Sequence, residues 1–282
     1  MTVLVFGKNG QVARELRRLL PDAVFLGRDA ADLTKPQISA ELIRAHNPSC
    51  VLNAAAYTNV DKAEAEFDMA ATINGTAPAI MAEAAQKLGI PFVHISTDYV
   101  FDGSGSAPRR SDDPVGPICA YGQTKLQGEI GVRAAHETAV ILRTSWVFSA
   151  HGTNFVKSML RLGPSNENIR IVADQIGGPT PAKDIAAAVF AIASSQINER
   201  KPGATYHFSG APDVSWADFA REVFSQKGLP TKVVDITTSE FVRPAKRPLN
   251  SRLNCESLAR DYNIGRPDWR MGLAEVLAEL AT

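Results

Sequence analysis

The feature that most constrains the fold is the opening run "TVLVF-GKNGQ-VARELRRLL". It is a fully apolar strand, a turn carrying Gly7 and Gly10, and a segment in which Val12, Leu16, Leu19 and Leu20 fall on one helical face. A strand that is apolar on both faces has no side to show to water, so it belongs in a parallel sheet covered by helices on both sides. The alternation then repeats. "AVFLG" leads to a helix over about 36–46, "CVLNAAA" to an Ala-rich helical stretch over about 61–88, "PFVHIST" to a helix opened by "YGQTK", and that helix to "AVILRTSWVF". This order predicts an α/β protein built on a Rossmann-like doubly wound parallel sheet. Past Phe148 the rhythm loosens: helical "GTNFVKSMLRL" and "PAKDIAAAVFAIASSQ" are separated by "IRIV" and the Gly/Pro-rich "DQIGGPTP", and "TYHFSG" and "WADFAREVFSQ" follow. We expect a dinucleotide-binding domain over 1–148, completed by a later helix near 181–196, and a smaller C-terminal α/β substrate-binding domain over 149–282. The polar, Pro- and Arg-rich stretch 231–253 is too long for a casual turn and is expected to bind something.

Composition narrows the partners. The 282 residues are 45% hydrophobic, enough for a sizeable core, and 30 basic side chains balance 30 acidic ones. Zero formal net charge argues against nucleic acid and membrane surfaces as partners. No apolar run approaches the roughly 20 residues of a membrane span, and no signal peptide precedes the first strand, so a cytoplasmic protein is expected. Cys50, Cys119 and Cys255 and the five scattered histidines form neither a disulfide framework nor a metal-binding spacing. No metal is expected.

Gly7, Gly10 and Ala13 give a G-x-x-G-x-x-A turn, in which missing side chains let the backbone approach a pyrophosphate at the start of the next helix. Arg28 follows the second strand, where a guanidinium suits the 2′-phosphate of NADP(H), but Asp32 stands four residues on and suits the free 2′-hydroxyl of NAD(H). The two cofactors both stay open, with a lean to NADPH over NADH. "STDYVFDG" begins where the fourth strand ends, and Thr97 there can reach the same crevice; Asp102–Gly103 reads as a turn. Tyr121 and Lys125 are one helical turn apart and share a face, so an ammonium beside the phenol would lower its proton affinity and make it a usable acid. Alone, Tyr-x-x-x-Lys is one turn of any surface helix. With Thr97 and the glycine turn it is a Thr–Tyr–Lys constellation.

With "VLNAAAYTNVDKAE", "INGTAP", "HISTDYVFDG", "YGQTKLQGE", "LRTSWVF", "DQIGGPT" and "RPLNSRL" the whole chain resembles the extended short-chain dehydrogenase/reductases. Within them it resembles the branch that reduces the 4-keto group of dTDP-4-dehydro-6-deoxy-L-mannose to dTDP-L-rhamnose. The resemblance implies that Tyr121 exchanges the proton, Lys125 anchors the nicotinamide ribose, and Thr97 orients the sugar. It places the cofactor on Gly7, Gly10, Gln11, Val12, Asp32, Leu33, Ala54, Ala55 and Ala56. It places the nucleotide sugar on Thr97, Asp98, Trp146, Arg247 and Arg252. Related members act as epimerases or dehydratases, and one relative is a non-catalytic regulatory subunit. Some members dimerise through a magnesium ion held by a Glu, at the position where this chain has Lys183, so magnesium is doubtful here. Either a monomer or a homodimer fits.

Overall fold

The structure is a computed structural model that describes residues 2–281; Met1 and Thr282, the ends of the two expected domain ranges, lie outside the described residues. The first half runs β1 (Val3–Phe6), α1 (Gln11–Leu19), β2 (Val24–Leu26), α2 (Gln37–His46), β3 (Cys50–Asn53), α3 (Val60–Ala65), α4 (Phe67–Ala71), α5 (Ala77–Lys87), β4 (Phe92–Thr97), α6 (Ala120–Ala135) and β5 (Val140–Thr144). The second half runs β6 (Val147–Phe148), α7 (Phe155–Leu162), β7 (Asn168–Val172), β8 (Ile176–Gly177), β9 (Thr180–Pro181), α8 (Ala182–Glu199), β10 (Thr205–Phe208), β11 (Val214–Ser215), α9 (Trp216–Lys227), β12 (Lys232–Ile236), β13 (Asn250–Ser251), α10 (Glu256–Tyr262) and α11 (Trp269–Glu279).

Six strands form one sheet in the order β10-β5-β4-β3-β1-β2, every pair parallel. All four residues of β1 are buried, as its unbroken apolar run requires. Val3 and Val5 join the core under α1 and α8, while Leu4 and Phe6 join the opposite core with Ala40 and Ile43 of α2 and Met81 of α5. Each such side chain contributes about 1.5–3 kcal/mol. The sixth strand, β10, lies beyond residue 148, and α8 packs on the same sheet face as α1. A third core gathers Phe148, Val156, Met159, Phe219, Phe224 and Trp269 around α7, α9 and α11.

Three local expectations change. The stretch 61–88 is not one helix: it breaks at Glu66 and passes through a π-turn over Thr72–Thr76 before α5. Pro78, at the start of α5, has no N–H to continue the ordinary ladder. In α1, Leu19 is 41% exposed, while Leu16 and Leu20 pack on the sheet. The stretch 231–253 opens as a strand, with β12 pairing parallel to β7, and closes on β13, which pairs parallel with β8.

Candidate active site

The sheet reverses its winding at β1, which has β2 on one side and β3 on the other, so a crevice opens beyond the carboxyl ends of β1 and β3. The glycine turn fills its floor. Gly7 has φ +103°, and a Cβ there would fall 2.8 Å from the backbone of Ala54 and Ala55. Gly10 donates its N–H to the Gly7 carbonyl at 2.8 Å and caps α1 with no side chain in the way. The bare backbone, the open start of α1 and the adjacent Ala54–Ala56 loop fit a dinucleotide pyrophosphate. Val12 is buried under the turn, and Gln11 accepts from Ser149 Oγ and Asn154 Nδ2, both at 2.9 Å, tying the turn to the C-terminal half.

At the end of β2, Leu33 is buried and Arg28 is exposed, its Nε 3.8 Å from Asp32. Hydrogen bonds from Thr34 hold the Asp32 carboxyl below the usual carboxylate range. One cation was missed from sequence. Lys8 lies against Gly27, whose added Cβ would stand 3.5 Å from Lys8 Cδ, so two positive side chains flank this edge.

The proposed catalytic side chains meet at the end of β4. The register pairs Thr97 with Thr144 on β5, and α6 crosses above. Thr97 donates to Asp98 Oδ1 at 3.0 Å and accepts from the Tyr99 N–H at 3.3 Å, and its hydroxyl stands close enough to the Tyr121 phenol to act on its acidity. Burial pushes the Asp98 carboxyl up to about 6, against hydrogen bonds from Ser251 and Thr97. Gly122 explains the second letter of "YGQTK": a Cβ there would fall 2.2 Å from the Tyr99 carbonyl, so only glycine lets α6 approach this loop.

The expected acidification of Tyr121 is not what dominates. Burial pushes its pKa up, and Thr97 is the group that acts downward. Lys125 is buried and its Nζ points inward, donating to the Ile95 carbonyl at 2.8 Å and lying 3.3 Å from His94 Nε2. Burial lowers its pKa to about 8.

Trp146 has φ +48°, which ends β5 and turns its indole onto Trp216, stacked at 3.6 Å between centroids. Both rings stay partly exposed. Arg247 is already engaged: its Nη1 and Nη2 reach the two Asp61 carboxylate oxygens at 3.0 and 3.1 Å, and Arg243 binds the same carboxylate at 2.9 Å. Arg252 is partly buried and donates to Asn250 Oδ1 at 3.1 Å. Lys183 pairs with Glu275 at 2.7 Å on an exposed face. Besides Lys8, sequence reasoning passed over Asn53, His94 and Asn74, all buried. Asn74, in the π-turn, holds Tyr57 N–H at 2.7 Å and Thr124 Oγ1 at 3.1 Å, joining the loop after β3 to α6. Its signal was the "INGTAP" segment, whose Pro breaks an otherwise helical run.

Residues 1–282 match the family described as RmlD substrate binding domain. The chain belongs to that family. It is 45% identical over 278 residues to a dTDP-4-dehydrorhamnose reductase of Sinorhizobium fredii, covering 95% of this chain and 94% of that one. A dTDP-4-dehydrorhamnose reductase crystal structure from Clostridium acetobutylicum superposes with a TM-score of 0.94 at 36% identity, covering all of both chains. The Bacillus anthracis reductase, solved in complex with NADP, gives 0.93 at 34% identity over 99% of each chain. Like those RmlD relatives, this chain is an α/β protein with a parallel Rossmann-like sheet. Among the described residues, no helix is long and apolar enough to cross a membrane.

Proposed function

We propose that this RmlD-family chain is an oxidoreductase that uses NADPH to reduce the 4-keto group of dTDP-4-dehydro-6-deoxy-L-mannose, giving dTDP-L-rhamnose. The observation that carries the reading is the gathering of Thr97, Tyr121 and Lys125 at the end of β4, two strands from a glycine cradle bare enough for a dinucleotide. A dTDP-4-dehydrorhamnose reductase at 45% identity, and an NADP-bound one at 34%, support it. NADPH, when bound, supplies the hydride. Gly7, Gly10, Gln11, Val12 and Ala54–Ala56 shape its pyrophosphate and ribose site, with Asp32 and Leu33 at the adenosine end and Lys8 and Arg28 beside a 2′-phosphate.

Tyr121 holds the proton that the C4 oxygen needs as negative charge develops on it, and its high proton affinity keeps that proton in place at neutral pH. Thr97 fixes the direction of the phenol, and Asp98 offers a carboxyl to the sugar hydroxyls. Lys125 offers an N–H to the cofactor ribose. Trp146, backed by Trp216, gives the sugar nucleotide an aromatic wall, and Arg252 stands near its charged end. Arg247 joins that end by exchanging part of its pairing with Asp61 for a diphosphate.

The test is a coupled assay with dTDP-4-dehydro-L-rhamnose and each of NADPH and NADH. One equivalent of NADPH consumed per keto sugar is expected. A 4-keto sugar that is epimerised or left untouched while NADPH persists would defeat the reading.

A further inference from the structure

Lys125 ends a line of three buried side chains whose donors and acceptors can be counted. Asn53 ends β3 and His94 sits in β4, directly opposite it in the parallel register, so both point to the same face of the sheet. Lys125 comes down on them from α6. Asn53 Oδ1 accepts the Ala55 N–H at 3.1 Å, and a backbone N–H can only donate, so this fixes the amide. Its Nδ2 therefore faces His94 Nδ1, at 3.1 Å, and Nδ1 must accept. Full burial keeps the imidazole neutral, its pKa driven well below the ordinary value, so its one proton is on Nε2. Nε2 is 3.3 Å from Lys125 Nζ.

An ammonium has three N–H groups and no lone pair, and against Nε2–H it would set donor on donor. A neutral amine satisfies every contact: its lone pair takes Nε2–H, one N–H goes to the Ile95 carbonyl at 2.8 Å, and one remains for a ligand in the crevice. We propose that His94, oriented by Asn53, is a positioning residue that turns a donor toward Lys125 Nζ, opposes its ammonium form and lowers the pH at which its charge switches. Nothing in the family likeness assigns His94 or Asn53 a part, and the proposal deepens the reductase reading on which it rests.

The other ionisable groups around Lys125 do not reverse this. Glu129, one turn along α6, favours the ammonium, but its carboxylate is bonded to Arg143 Nη2 at 2.7 Å and to Ser96 Oγ at 2.5 Å. Tyr121, one turn back, stays a neutral phenol because burial raises its pKa, and Asp98 beyond it is bonded to Thr97. Above the switch, Lys125 presents a neutral N–H to the crevice. Below it, Lys125 carries an ammonium, so His94 sets the pH at which the charge beside the crevice changes.

The experiment follows the full chain labelled with ε-13C lysine through a pH titration, with the Lys125 signal assigned by its loss in Lys125→Arg. In the wild type Lys125 is expected to titrate near 8, clear of the surface lysines. In His94→Phe, which keeps a ring but removes both nitrogens, the midpoint should rise by about one pH unit or more. His94→Gln can turn an amide N–H to Nζ and its carbonyl to Asn53 Nδ2, and should restore the wild-type midpoint. If His94→Phe does not fold, Asn53→Leu serves: it removes the donor that makes Nδ1 accept, adds no charge, frees Nε2 to become the acceptor, and should raise the midpoint. Lys125 titrating with the surface lysines, or an unchanged midpoint in the variant read, overturns the proposal. The titration needs no turnover, so its failure is separate from failure of the reductase reading, which Tyr121→Phe tests.

Discussion

Replacing Tyr121 by Phe separates chemistry from architecture, because it removes one hydroxyl and leaves the ring. The ring packs edge-on to Tyr99, 5.4 Å between centroids at 75°, and that contact survives. What is lost to folding is at most one hydrogen bond's worth of interaction with Thr97, no more than about 0.5–1.5 kcal/mol net. Thr97 keeps its bonds to Asp98 and the Tyr99 N–H, so it is not left as a buried orphan. Such a loss lowers Tm by a few degrees at most, at about 2–4 °C per kcal/mol for a chain of this class. Losing a positioned general acid costs about 10²–10⁴-fold in rate, or roughly 3–5 kcal/mol of barrier. The two effects therefore differ enough to be read apart. The assay is NADPH oxidation with dTDP-4-dehydro-L-rhamnose, paired with a thermal melt and an NADPH binding titration on the same preparation. Turnover should fall at least a hundredfold while NADPH affinity stays within a few-fold. Turnover within tenfold of wild type, with folding intact, would refute the assignment of Tyr121 as the proton donor.

Three further outcomes follow from the geometry. Glu129→Ala strands the buried Arg143 guanidinium, now held by a 2.7 Å contact, and should destabilise the fold by about 3 kcal/mol; a denaturant-melt difference under 1 kcal/mol would show the pair to be dispensable. Arg28→Ala should weaken NADPH on the order of tenfold and leave NADH nearly unchanged in binding titrations, equal effects on both returning Arg28 to a surface partner of Asp32. Lys183 sits on Glu275, a cation where a magnesium ligand would have to be, so EDTA-treated protein should keep its turnover and its sedimentation coefficient; loss of either, restored by magnesium, would show other oxygen ligands at work.

The parallel sheet and its covering helices were legible because the strands are short and largely apolar and alternate with helical runs, β1 ending before Gly7 and β4 opening after Pro91. The glycine turn could be read as a cradle because Gly7 and Gly10 are needed wherever the backbone itself is the ligand. The breaks were less legible. The apolar pattern from Asp61 to Leu88 reads as one helix interrupted only at "INGTAP", and packing against α6 decides that the interruption is a π-turn that buries Asn74. "AVILRTSWVF" reads as one strand, yet Trp146 leaves the extended conformation to stack on Trp216, a residue of another element. The acidity of Tyr121 was misjudged for a related reason: spacing put Lys125 beside it, but spacing carries no information on desolvation, and burial acts on both groups against their charged forms.

By itself the sequence determined what is periodic or local: a parallel α/β sheet, a nucleotide turn at its first crossing, and a Tyr–Lys pair on one helical turn. The tertiary structure alone decided which side chains face one another across elements. Asn53 opposes His94 because β3 and β4 pair in one register out of several that their apolar runs would allow, and Lys125 meets them because α6 lies over that face. Arg247 is spent on Asp61 for the same kind of reason. Hydrophobic periodicity is set by near neighbours in the chain, whereas matching donors to acceptors, and the cost of burying a charge, depend on groups that only folding brings together.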